Sequence, residues 1–242
     1  MKIEQNEHKT VFLKKEKVSK DAYTFYFKRP NNFNFFPGQY IKLSLEIRSP
    51  DLRGSSRYFT ISSSPLDQNF ITITTRIIKS SFKIKLKSLT KGIPVKFYGP
   101  IGYFDFDYKS RAQNIFLAGG IGMTPYHSII KFASKKNLSL NILLIASFSF
   151  KKDAVFFDEL KEIEKDNPKI KIIYTLTKEQ KSYPEFERGR IDVEMIKKHV
   201  RNPKSSNFFI VGPAKMTDEL FETVKKLGVK DLKIFKEDFS GY

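Results

Sequence analysis

The hydrophobic rhythm of this 242-residue chain changes once, near residues 107–113, and that change limits what the chain can fold into. Up to about residue 108, short runs of β-branched and aromatic residues are cut by turn signals. The runs are Tyr23–Lys28, Tyr40–Ile47, Phe70–Ile78 and Pro94–Tyr98. The breaks are Arg29-Pro30-Asn31-Asn32, Phe36-Pro37-Gly38, Ser49-Pro50-Asp51, Ser64-Pro65, Lys91-Gly92 and Gly99-Pro100. Many short strands at this spacing predict a small barrel or sandwich. The stretch 81–87 fits two periods at once. It alternates like a strand, while Phe82, Leu86 and Leu89 fit one face of a helix.

Beyond the polar segment Asp107–Gln113, apolar strands alternate with amphipathic helices. Strands are predicted at Asn114–Ala118, Leu140–Ala146, Ile170–Thr175, Asn207–Val211 and Lys233–Phe235. Helices are predicted near Pro125–Lys135, Ala154–Lys165, Asp192–His199 and Lys215–Lys226. Repeated β-α units predict a parallel sheet with helices on both faces. Two domains follow, 1–108 and 109–242.

With no cysteine, the chain has no disulfide, thiolate zinc site, cysteine-held iron–sulfur cluster or cysteine nucleophile. His8, His127 and His199 lack ligand spacing, so no metal centre is expected. The net charge is +18. Up to Asp107 there are 19 Lys and Arg against 9 Asp and Glu, and beyond it 25 against 17, so the excess is spread over both parts. A general compositional bias explains it as well as a selected acidic partner does. The basic–aromatic interleaving of a nucleic-acid module is missing. No run reaches the length of a membrane span, and the N-terminal decapeptide is polar. A cytoplasmic, soluble monomer is the expectation.

Two segments carry chemistry. In Ile115–Pro125 (IFLAGGIGMTP) a strand enters a glycine-rich turn and then a helix. Such a turn aims backbone N–H groups and the positive end of a helix dipole at one spot, which suits a pyrophosphate. The spacing is not GxGxxG, and a plain structural turn is the alternative. In Ser56–Pro65 (SRYFTISSSP) an arginine precedes aromatics, a hydroxyl and serines. Arg57 can fork onto phosphate oxygens, the Phe59 ring can cover a flat π-system, and Thr60 can bond a flavin's polar edge near N5. An amphipathic strand ending in a Ser-Pro turn is the alternative.

Taken together, these segments resemble the ferredoxin–NADP reductase-like flavoproteins, along nearly the whole chain. Arg57, Phe59 and Thr60 match Arg-x-Tyr/Phe-Ser/Thr, and Pro37-Gly38-Gln39-Tyr40 matches P-G-Q-Y/F. Ser80-Ser81-Phe82 with Leu86 and Leu89 is similar to the family's short phosphate-binding helix. Gly99-Pro100-Ile101-Gly102-Tyr103-Phe104 matches G-P-x-G-x-F. AGGIGMTP, Arg188-Gly189-Arg190-Ile191, Val211-Gly212-Pro213-Ala214-Lys215-Met216 and the tail Glu237–Tyr242 complete the series.

The resemblance implies an N-terminal antiparallel FAD-binding β-barrel and a C-terminal NAD(P)-binding α/β domain. NAD(P)H would give a hydride to flavin N5, and electrons would pass to a separate acidic carrier such as ferredoxin or flavodoxin. A free-flavin or ferric-chelate reductase is the alternative. Arg57 and Ser81 would meet the FAD phosphates, with Ser80 and Phe82 beside them. Tyr58, Phe59 and Thr60 would line the ribityl–isoalloxazine path. Gly119, Gly120, Gly122, Thr124 and Pro125 would hold the nicotinamide nucleotide, with Ser147 and Arg190 near it. Gly212, Pro213 and Met216 would close over the nicotinamide. Thr60, Glu237 and Tyr242 are the catalytic candidates, with Tyr242 or Phe239 stacking on the flavin.

The chain departs from the family pattern in three places. Phe59 lacks a tyrosine hydroxyl, Val211 replaces a cysteine, and the loop after Ala146 lacks the usual arginine. In that loop Ser147, Ser149, Lys151 and Lys152 precede Asp153, a pattern that leans to NADP(H) over NAD(H).

Overall fold

Strand alternation sends every second side chain of the first part inward, and those inward positions are aromatic or branched. The computed structural model describes residues 5–102 and 106–239. By contact density the chain divides into two units. One is Met1–Phe104 with His127–Phe132, and the other is Asp105–Tyr126 with Ala133–Tyr242.

The first unit is an antiparallel barrel. Its strands are β1 (Asn6–Lys17), β2 (Ala22–Lys28), β3 (Tyr40–Ser44), β4 (Ser56–Thr60), β5 (Phe70–Arg76) and β6 (Pro94–Ile101). They run in the order β4-β3-β6-β1-β2-β5. Ile61, one residue past β4, bridges to Ile73 of β5 and nearly closes the ring. The register of β1 on β2 shifts between Phe12 and Lys14, which lets one long strand serve both β6 and β2. Phe25, Phe27, Ile41, Leu43, Ile61, Ile73 and Phe97 fill the interior. Each such side chain contributes about 1.5–3 kcal/mol on burial. The stretch that fitted two periods forms helix α1 (Ser81–Ser88), with Phe82 and Leu86 buried against this core.

The second unit is a parallel sheet. It contains β7 (Gln113–Gly119), β8 (Asn141–Phe148), β9 (Ile170–Leu176), β10 (Phe186–Arg188), β11 (Asn207–Gly212) and β12 (Ile234–Asp238). The order is β10-β9-β8-β7-β11-β12, with every described pairing parallel. Helices α2 (Thr124–Lys135), α3 (Phe157–Asp166), α4 (Val193–His199) and α5 (Ala214–Lys226) connect the strands. The chain runs outward from β7 to β10, then returns to place β11 on the other side of β7. The strand order therefore reverses between β7 and β11, where open α/β sheets bind ligands at the carboxyl ends of their strands.

Two strands escape hydrophobic patterning. β1 buries little more than Thr10 and Phe12 among charged neighbours, and β10 is three residues long. No helix among the described residues is long and apolar enough to cross a membrane.

Candidate active site

In the first unit, a turn from Asp51 to Gly54 folds around Arg57 of β4. The Gly54 N–H donates to the Asp51 carbonyl at 2.7 Å, and Gly54 sits at φ +72°, where a side chain would be strained. The Arg57 guanidinium donates to the carbonyls of Arg53, Gly54 and Ser56 and to Asp51 Oδ1 at 2.6 Å. Helix α1 arrives at the same place. Ser80 caps it by accepting from the Lys83 N–H at 3.1 Å, and Ser81 Oγ accepts from the Asp51 N–H at 2.8 Å. The first turn of α1 has no acidic residue. Arg57, Ser80, Ser81 and Phe82 thus converge at one place.

The charges there suit a diphosphate. Arg53 and Arg57 flank one carboxylate, Asp51, and the charges of both arginines reach Lys83. Burial opposes ionisation of Asp51, but the Arg53 N–H and the Arg57 guanidinium hold its carboxyl below the usual range. Its second oxygen, Oδ2, is buried without a hydrogen bond.

The aromatic part of the motif differs from expectation. Phe59 is 8% exposed and packs against Phe82, whereas Tyr58 is 62% exposed and meets Tyr40 edge-on at 5.7 Å. Neighbouring residues on a strand face opposite ways, so Tyr58 offers the open ring and Phe59 belongs to the core. Thr60, opposite Tyr40, is half-buried. The serine run is structural. Ser62 bonds Thr72 and Thr74, Ser63 accepts from the Thr72 N–H, and the Ser62 and Ser63 carbonyls engage His127 and Ser128.

Gln39 secures the strand opening after Gly38. Its Oε1 accepts from the Phe36 N–H and its Nε2 donates to the Gly102 carbonyl, both at 2.7 Å. A Cβ on Gly102 would lie 2.4 Å from the Tyr40 ring. Tyr103 and Phe104 of that motif lie outside the described residues.

In the second unit, β7 ends at Gly119 and a 3-10 turn, Gly120–Met123, leads into α2. The three glycines have different duties. A Cβ on Gly119 would meet Met216 Sδ at 2.2 Å, and one on Gly122 would meet the Val211 carbonyl oxygen at 2.8 Å. These two let the turn lie against β11 and the start of α5. Gly120, at φ +54°, has open space where its Cβ would be. It is therefore the glycine beside which a ligand has room. Thr124 and Pro125 are buried at the start of α2, and Pro213 and Met216 stand over Gly119.

Ser147, on β8 beside Gly119, is half-buried at the carboxyl end of the sheet. Past it, Lys151 Nζ lies 4.3 Å from the Tyr183 ring, and Asp153 is 9% exposed. Arg190 is exposed and reaches Glu219 at 3.4 Å. Glu237 pairs in register with Val211, and burial pushes its carboxyl pKa up. The Phe239 N–H donates to the Gly212 carbonyl at 2.9 Å, which ties the residue after β12 to the end of β11. Tyr242 lies outside the described residues.

The family described as "Oxidoreductase FAD-binding domain" matches residues 9–106, and that described as "Oxidoreductase NAD-binding domain" matches residues 116–220. The chain is 26% identical over 226 residues to a flavohemoprotein of Bacillus subtilis, covering 90% of this chain and 55% of that protein. It is 30% identical over 159 residues to a glycine betaine monooxygenase reductase subunit of Pseudomonas aeruginosa, covering 63% and 43%. The chain spans a little over half the length of the first curated relatives it matches. The fold superposes on a ferredoxin NADP+ reductase from Neisseria gonorrhoeae with bound FAD and NADP. The TM-score is 0.79 at 18% identity, covering 96% of this chain and 98% of that one.

Proposed function

The chain belongs to the ferredoxin–NADP reductase-like family of FAD/NAD(P)-binding oxidoreductases, and from that membership we propose that it is an NAD(P)H-dependent flavoprotein reductase serving a separate acidic electron carrier. The observation that carries this reading is the pairing of a FAD-binding and an NAD-binding domain, the first with Arg57 beside the N-terminus of α1 and the second with a glycine-rich turn opening α2. FAD, when bound, would supply the hydride acceptor and the relay of electrons onward.

The residues divide the remaining work. Arg57, Ser81 and the N-terminus of α1 hold the FAD diphosphate, and Tyr58 lays its exposed ring along the cofactor. Thr60 presents its hydroxyl to the flavin's polar edge. Gly120 admits the nucleotide pyrophosphate, while Gly119, Gly122, Thr124 and Pro125 hold the turn in shape. Gly212, Pro213 and Met216 shape the nicotinamide side. Glu237, whose carboxyl pKa burial pushes up, stands among the catalytic groups. Phe239 or Tyr242 shields the flavin face.

NADP(H) is favoured over NAD(H), because Ser147 lies at the end of β8, Lys151 and Lys152 follow it, and the nearby Asp153 is buried rather than offered to a ribose. The basic surface favours an acidic carrier such as ferredoxin or flavodoxin.

Anaerobic titration of the purified yellow protein is the test. Bleaching of the flavin bands by NADPH at lower concentration than by NADH is expected. A protein that stays colourless when FAD is added would overturn the reading. Faster reduction of free FMN than of a ferredoxin or flavodoxin would replace the carrier with a small-molecule acceptor.

A further inference from the structure

One cation of the FAD cradle belongs to no recognised motif. Lys83 stands in the first turn of α1, yet it is 8% exposed. Its amine donates to Thr75 Oγ1 of β5 and lies 4.7 Å from the centroid of the Phe59 ring. Phe59 packs on Phe82, and the Arg57 guanidinium lies 5.3 Å from the Phe82 ring. Lys83 and Arg57 therefore share one aromatic stack. Asp51 is already engaged by Arg57 at 2.6 Å, with Arg53 at 4.0 Å.

We propose that Lys83 makes FAD binding proton-linked: its Nζ takes a proton from solvent as the FAD diphosphate settles beside Arg53 and Arg57, and the resulting ammonium helps position that group. This rests on the reading of the first unit as an FAD cradle.

The groups facing the amine explain the coupling. The 51–57 segment brings Arg53 and Arg57, whose own partner is Asp51, α1 brings the positive end of its dipole, and β5 brings the neutral Thr75. Burial, and after it the charges of Arg53 and Arg57, lowers the Lys83 pKa to about 7. Near neutral pH the ligand-free cradle thus holds the amine without its full charge. Entry of a group with two negative charges reverses the local field and favours the ammonium. The FAD diphosphate does not itself change protonation in this range, and Asp51 is held ionised. The proton therefore goes to Lys83.

The test is calorimetry of FAD binding to the FAD-free full chain, in pairs of buffers that differ in ionisation enthalpy. Uptake should rise from about 0.1 proton at pH 6 to about 0.9 at pH 8, following a group with a free-state pKa near 7. The dissociation constant should then weaken by up to about tenfold per pH unit above that point. Lys83→Met should bind FAD more weakly, with no uptake and a pH-independent constant. Lys83→Arg, charged at every pH tested, should restore affinity without uptake. A wild-type binding enthalpy independent of buffer at pH 8 overturns the inference while leaving the FAD reading intact, as does unchanged uptake in Lys83→Met. Failure of the wild-type chain to bind FAD overturns both.

Discussion

At the scale of single residues, the glycines of the 119–122 turn separate two demands that a sequence motif merges. Gly122 faces backbone: a Cβ there would sit 2.8 Å from the Val211 carbonyl oxygen and 3.0 Å from Gly212 Cα. Neither neighbour is the free end of a flexible side chain, so the turn itself must shift. Overpacking of this kind costs about 1–3 kcal/mol. Gly120 faces open space and uses only its left-handed backbone, which costs a non-glycine residue about 1–2 kcal/mol. Gly122→Ala should therefore lower the melting temperature more than Gly120→Ala. Gly120→Ala should instead weaken nucleotide binding, because its new methyl points where a ligand has room. Thermal melts alongside NADPH binding would check this, and equal effects on both readouts would refute the division. The same distinction applies to Tyr58 and Phe59. They are adjacent aromatics in one motif, and the pleat gives them opposite environments.

At the scale of elements, α1 is a short helix whose docked face includes a lysine. Its cap and apolar contacts hold it: Ser80 accepts from the Lys83 N–H, and Phe82 and Leu86 enter the barrel core. A cap of this type contributes about 1 kcal/mol. Lys83 works against the same helix whenever it is charged in the ligand-free protein. Its folded pKa of about 7 lies below the unfolded 10.5, so the unfolded chain binds more protons between those values. Stability of the FAD-free chain should rise as pH climbs through that window, by roughly a few kcal/mol at most. Below the folded pKa both states are protonated and this gain is absent. Denaturant unfolding of the wild type and Lys83→Met at pH 6.5 and 9 would measure it. The difference between the two proteins should change with pH, and a constant difference would contradict the account.

At the scale of the whole molecule, the formal charge of +18 is shared by both halves of the sequence rather than collected in a tail. A spread of this kind acts through the long-range field, which steers oppositely charged partners and is screened over about 8–10 Å at moderate salt. Reduction of an acidic carrier protein should therefore slow steeply as salt rises, mainly through the second-order rate constant. Reduction of free FMN should respond more weakly. A flat salt response with the carrier would leave the charge as compositional bias with no bearing on partner choice.

Much of this architecture was legible in the chain itself. Regular patterns report burial, so the strands and helices with a continuous apolar face could be read directly, as could the change of rhythm between the two parts. The glycine-rich turn and the Arg57 segment could be read because closely spaced glycines after a strand, and an arginine among aromatics and hydroxyls, are local in the sequence. Patterns fall silent where neighbours come from far along the chain. β1 is a strand because β2 and β6 flank it, not because its own residues are apolar. The stretch 81–87 is a helix because Phe82 and Leu86 find one core. Only the tertiary structure decided that Ser62–Ser64 support the fold, that Tyr58 rather than Phe59 is exposed, and that Lys83 is buried among cations. Burial and local field are sums over residues distant in sequence, and local order alone cannot encode them.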